Sequence, residues 1–200
     1  MAVGCYSESM AETAARRLTP DEFLVWERSQ RDRHIYVRGH VFAMAGGSPR
    51  HNALGAEMIA RLADGLRGGP CRAFTSDQKL GLPKDEFVYA DAVVICGPLA
   101  LRSGTTDVVT NPRVVVEVLS KNTETYDRGE KQRGYLSLPS LEHFVLVSQR
   151  EPRVEVYTRQ ADGSFRFEIA EAGGAIRIER LGLTIDVDAL YSGVFELPGD

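Results

Sequence analysis

Apolar positions along this chain alternate between a helical and an extended rhythm, and their order predicts a mixed α/β domain. LTPDEF opens a short helix with a capping box, Thr19 as N-cap, Pro20 at the first helical position and Glu22 three residues on. That helix runs to about Gln30, with Phe23, Leu24 and Trp26 or Glu27 near one face. HIYVRGHVFAMAGG reads as two strands around a turn at Arg38-Gly39. Ser48-Pro49 starts a second helix, in which Leu54, Met58, Leu62 and Leu66 recur at near-helical spacing before Gly68-Gly69-Pro70 ends it. CRAFTS and QKLGLP are short extended runs, EFVYADAVVICGP is an apolar run with a Gly-Pro stop, and TNPRVVVEVLS is the strongest strand. A helix from about Asp127 to Ser137, capped by Asp127, precedes the strand LEHFVLVS. RVEVYTR and SFRFEIA alternate like a solvent-facing hairpin, and TIDVDALY is expected as a last short helix.

The class expected is α/β (α+β), with a central mixed β-sheet flanked by helices. Two hundred residues suit one domain, expected over 18–195 after a disordered tail, 1–17. No apolar run approaches the roughly 20 residues that span a bilayer, and the first residues do not resemble a signal peptide, so a cytoplasmic protein without membrane contact is expected. Cys71 and Cys96 read as small core fillers, and Cys5 falls in the tail. Net charge is −4, with 19 Lys+Arg against 18 Asp+Glu in residues 1–150 and 5 against 10 thereafter. Such a balance gives no support to strong non-specific DNA binding, yet it is compatible with an acidic cation site.

The chemistry lies in two acids set in apolar runs, Asp91 in FVYADAVVI and Glu117 in VVVEVL. A buried charge is costly unless paired or bound to a cation. Acids on adjacent strands could clasp one Mg²⁺ or Mn²⁺; the bland alternative puts each at a solvated strand end. Downstream, Asp127, Lys131 and Tyr135 share one helix face. Lys131 either faces a cation-bound phosphate or makes an ordinary surface pair with Asp127.

VVVEVLSKNTETYDRGEKQRGYLSLPSLEHFVLVS resembles the signature of the Uma-type endonucleases, a branch of the PD-(D/E)XK superfamily. MAGGSPRHNALGAEMIARL, YADAVVI and LTPDEFL resemble other pieces of that pattern in the right order. The resemblance implies a restriction-endonuclease-like core and Mg²⁺-dependent hydrolysis of DNA, with Asp91 and Glu117 as metal-binding catalytic acids. Lys131 would supply the lysine that the superfamily usually carries two residues after the second acid, where Leu119 stands here. Asp127 and Tyr135 would be structural helpers, and a homodimer with no organic cofactor is expected. Ala90 replaces a proline of the pattern, and Ile35 stands where the first hairpin usually has Glu, which would weaken cation binding unless Glu57 compensates. His51 and Arg50, in the first turn of the second helix, are candidate phosphate contacts, since helix N-termini favour anions. Ser120 either caps a turn after the Glu117 strand or touches the metal's water, while His34, His40 and His143 lack ligand spacing. Two rivals are a catalytically degenerate nuclease-fold module that binds nucleic acid or a protein partner, and a metal-independent glycosidase using the two acids.

Overall fold

The computed structural model describes residues 17–44 and 46–200; most of the expected tail, including Cys5, lies outside them. Thr19 caps α1 (Pro20–Glu27) through the expected reciprocal bonds with Glu22. The helix buries Phe23, Leu24 and Glu27 and ends earlier than expected. Strands β1 (His34–Val37) and β2 (His40–Ala43) pair around Arg38 and Gly39, whose φ values of 50° and 90° give the hairpin turn its left-handed backbone. Helix α2 (Pro49–Gly65) starts at Ser48, whose side chain accepts the His51 N–H.

The run read as one apolar segment divides. Strand β5 (Glu86–Tyr89) pairs with β1 and with β4 (Lys79–Leu82) in a five-stranded sheet, whereas β6 (Ala92–Cys96) pairs with β3 (Cys71–Thr75) in a six-stranded one. Ala90-Asp91 is the crossing between them, so Asp91 stands at a junction and not inside a strand. A short β7 (Val108–Val109) completes the first sheet in the order β2-β1-β5-β4-β7.

The second sheet adds β8 (Val114–Val118), β9 (His143–Val147), β10 (Arg153–Arg159) and β11 (Phe165–Glu171), in the order β11-β10-β9-β8-β6-β3. Its β8–β9 pair is parallel, which requires a crossover connection. Helical residues supply it: α3 (Glu124–Tyr126), a π-helical turn Asp127–Lys131, and α4 (Gln132–Leu136). Asp127 therefore lies inside the helical stretch, not at its cap; Ser120 accepts the Thr123 N–H at the start of it. The expected last helix is also part strand. TID belongs to β13 (Leu183–Asp186), paired with β12 (Ala175–Ile178), and only α5 (Val187–Leu190) is helical.

Strand alternation sorts the central sheet's two faces. Val114, Val116 and Val118 of β8 pack with Leu54, Met58 and Leu62 of α2 and with Leu66 at its C-cap. Val115 and Leu119 pack with the five-stranded sheet and Tyr135. Truncating the fully buried Leu62 to Ala costs about 2–5 kcal/mol. Glu117 shares the parity of Val115, so its carboxylate enters the interior between the two sheets and the crossover helix.

One expectation is corrected by the pairing of edge strand β3. Cys71 lies directly opposite Cys96; both pack at the core as expected, but as a disulfide and not as free thiols. No helix among the described residues is long and apolar enough to cross a membrane.

Candidate active site

Asp91 and Glu117 meet by strand register. Ala92 opposes Val116 across β6 and β8, so one further step sets Asp91 opposite Glu117 on the same face. The Asp91 carboxylate holds the junction by accepting the Val118 N–H at 2.7 Å through Oδ2. Glu117 is 3% exposed, and its Oε1 accepts from Tyr135 at 2.7 Å and lies 2.8 Å from Lys131 Nζ. Lys131 also reaches Asp127 at 3.3 Å. The expected i, i+4, i+8 face is thus buried against Glu117, and the surface-pair alternative is excluded for Lys131.

His51 joins them from the start of α2, its Nε2 3.4 Å from Asp91 Oδ2. Among the described residues no hydrogen bond engages Asp91 Oδ1 or Glu117 Oε2, which leaves one oxygen of each acid available. The four groups line a cavity of about 320 Å³, whose other walls include Ile35, Met44, Tyr89, Ala90 and Tyr126.

The electrostatics have one cause, an excess of negative charge in a dry place. Burial pushes the Glu117 carboxyl up to about 8; Lys131 opposes the rise, and Asp127 and Asp91 add to it. Burial alone would lower the Lys131 ammonium, yet Glu117 and Asp127 outweigh it and raise its pKa. Burial likewise opposes but does not prevent the raised His51 imidazole, held up by Asp91, Glu117 and Asp200. Asp91 is lowered: its bond and charge interaction with His51 and the Val118 N–H overcome desolvation.

Two candidates are not brought to the acids. The Arg50 guanidinium is taken up by the carbonyls of Gln149 and Leu197, at 3.1 and 2.9 Å, and lies over the Phe195 ring. It fastens the 195–198 segment to α2, so its two terminal nitrogens are engaged by the protein itself, while Nε is buried without a partner among the described residues. Glu57 pairs with Arg61 at 2.6 Å and does not line the cavity, so it offers no replacement for an acid at Ile35. His34 and His143 are structural as expected, against Glu27 and Thr158.

Sequence reasoning missed Tyr89, Tyr126, Met44 and Asp200 at the cavity. Tyr126 carried a signal, since it immediately precedes Asp127 in the crossover. Asp200 carried none: its carboxylate arrives by accepting from Lys121 N and the Gln149 amide, far away in sequence.

A mixed sheet with one acid at the β5–β6 junction facing another on the neighbouring β8, and a lysine from the crossover helix, defines a restriction-endonuclease-like protein. The family model Uma2, described as "Putative restriction endonuclease", matches residues 20–188, and the chain belongs to this family. Synechocystis protein slr1290 is 35% identical over 179 residues, covering 89% of this chain and 93% of its own. Another Synechocystis protein, sll1609, is 28% identical over 154 residues, covering 76% and 87%. A crystal structure from Anabaena variabilis, described as "a putative nuclease belonging to DUF820", shares the fold with a TM-score of 0.73 at 17% identity, covering 88% of this chain and 99% of its own. Family and fold together point to a nuclease.

Proposed function

We propose that this protein hydrolyses DNA phosphodiester bonds with a divalent cation, Mg²⁺ or Mn²⁺, held by Asp91 and Glu117. The observation that carries the reading is the convergence of these two carboxylates on one cavity, with Lys131 tied to Glu117. Among the described residues no three His, Cys, Asp or Glu side chains form a ready cation cage. Two carboxylates nevertheless fit the group, because Mg²⁺ usually takes one or two acids and completes its shell with water and substrate phosphate. The available oxygens and the surplus negative charge are hard-cation features. A bound cation would supply Lewis acidity to a phosphoryl oxygen and make water a better nucleophile.

The chain's own residues do the rest. Lys131 keeps an ammonium beside the site and so stabilises charge that builds on the phosphate. Tyr135 and Asp127 hold Glu117 and Lys131 in place. His51 can exchange a proton with water or with the departing oxygen.

The buried apolar Ile35 at the cavity wall favours a second reading, a degenerate module that binds nucleic acid or a protein without cutting. Calorimetric titration with Mn²⁺, alongside cleavage of plasmid DNA, separates the two for the wild type, Asp91→Ala and Glu117→Ala. An enzyme loses Mn²⁺ heat and cleavage together in both variants; DNA binding without Mn²⁺ heat or cleavage in the wild type removes the leading reading. The proposal also takes the protein to be cytoplasmic and to work as two copies.

A further inference from the structure

We propose that the cleft adjoining the acid cavity binds a phosphate of the DNA next to the one at the acids, in a seat that the Asp200 carboxylate now fills. This rests on the phosphodiesterase reading above and says where the substrate's backbone runs. Cavity and cleft share two wall residues, Ser120 and Asp200. Asp200 Oδ2 accepts from the Lys121 N–H at 3.2 Å and from Gln149 Nε2 at 3.1 Å. The fold sets both donors independently of Asp200. Lys121 follows Glu117 just past the end of β8, and Gln149 stands just past β9, its parallel neighbour. Gln149 is 5% exposed; its Oε1 accepts from Ser48 at 2.8 Å, and its Nε2 donates to Leu119 O at 2.8 Å. An amide held at both ends presents its second N–H whether or not an acid is there to accept it. Two converging N–H groups suit any oxyanion, a phosphate oxygen as well as a carboxylate.

The cations of the cleft divide by what already holds them. Five Arg or Lys side chains line it. Arg128 and Arg153 are committed to the buried Glu155 at 2.6 to 3.2 Å, and Arg50 to backbone carbonyls through its terminal nitrogens. Two remain for a ligand. The Lys121 ammonium has no partner among the described residues, and Arg150, its side chain 70% exposed, has only a 3.4 Å approach to Glu124. Each adjoins the seat in sequence, since Lys121 supplies one donor and Arg150 follows the other. A phosphodiester that displaces Asp200 exchanges one single negative charge for another. The seat therefore takes it without added repulsion from Asp91 and Glu117, while Lys121 and Arg150 neutralise phosphates further along.

Labelled duplex DNA tests this by anisotropy in Ca²⁺ across salt concentration, beside cleavage in Mn²⁺. Lys121→Ala and Arg150→Ala, both at exposed positions, should each weaken binding and flatten the salt slope by roughly 0.9, with Mn²⁺ heat retained. Asp200→Ala vacates the seat and should tighten DNA about fivefold or more, since the competent state no longer has to be released first. Asp200→Asn, which drops the charge but keeps an acceptor, should tighten it less. The inference is overturned if Asp200→Ala leaves DNA affinity unchanged, weakens it or abolishes Mn²⁺ heat, the last placing Asp200 among the cation's ligands. Affinity and slope unchanged in Lys121→Ala and Arg150→Ala overturn it too. In each of these cases a wild type that still cuts DNA keeps the phosphodiesterase reading. A wild type with neither Mn²⁺ heat nor cleavage removes that reading and this one together.

Discussion

The raised carboxyl of Glu117 makes folding depend on pH in a direction that can be worked out in advance. Its pKa stands at 4.5 when unperturbed and at about 8 in the folded chain. Between those values the native state keeps a proton that the unfolded chain has released, so stability falls as pH rises. The contribution is complete below about 4.5 and gone above about 8. At about 1.4 kcal/mol per tenfold, the full loss is roughly 5 kcal/mol, and even half of it is easily measured. Glu117→Gln keeps the shape and an oxygen for Tyr135 but has no proton to release. Urea unfolding of both proteins, in EDTA and at steps from about pH 5 to about pH 9, compares the network with and without this carboxyl, including its effect on His51 and Lys131. The wild type should lose stability relative to the variant by several kcal/mol across the window. Stability curves that run parallel would refute the account of an over-acidic, desolvated site.

Other substitutions probe the same network. Lys131→Met leaves Glu117 and Asp127 without their ammonium and should cost about 3–5 kcal/mol at alkaline pH, less where Glu117 is protonated, as read by thermal and urea melts. Tyr135→Phe removes the phenol that Glu117 accepts from, and should cost about 1–3 kcal/mol in urea with the fold kept. Arg50→Ala frees the 195–198 segment and should lower stability by about 1–3 kcal/mol while the Mn²⁺ titration stays as in the wild type; lost Mn²⁺ heat would return Arg50 to the site. Reduction of Cys71–Cys96, which closes a loop of sequence separation 25, should cost roughly 3 kcal/mol, and thiol labelling in lysates from intact cells tests the cytoplasmic expectation, since a reducing cytosol leaves both cysteines labelled.

How far the sequence disclosed this molecule depended on whether a residue's neighbours were near in sequence or only in space. Thr19, Ser48 and the row Leu54, Met58, Leu62 announce themselves because a cap or a helical face needs partners only a few residues away. Glu117 and the Asp127–Lys131–Tyr135 face were legible for the same reason: an acid in an apolar strand, and a spacing that fixes one side of a helix. What escaped was set by pairings between distant segments. Nothing local says that Ala90-Asp91 passes from one sheet to the other, or that Cys71 is registered against Cys96. Arg50 looked free because the carbonyls that capture it lie 99 and 147 residues further on. The charge surplus at Glu117 belongs to this second kind. Asp91 and Glu117 stand out singly in their own segments, but only register and the crossover helix force Asp91, Glu117 and Asp127 into a volume with one lysine. A fold that places three carboxylates around one buried ammonium has set up a standing demand for positive charge. A proton, taken up on Glu117, can meet it in part, and a divalent cation can meet it more fully. Mn²⁺ should therefore release a proton on binding at neutral pH, and calorimetry in buffers of different ionisation enthalpy would expose that proton; its absence would mean that Glu117 is already ionised and that Lys131 alone balances the site.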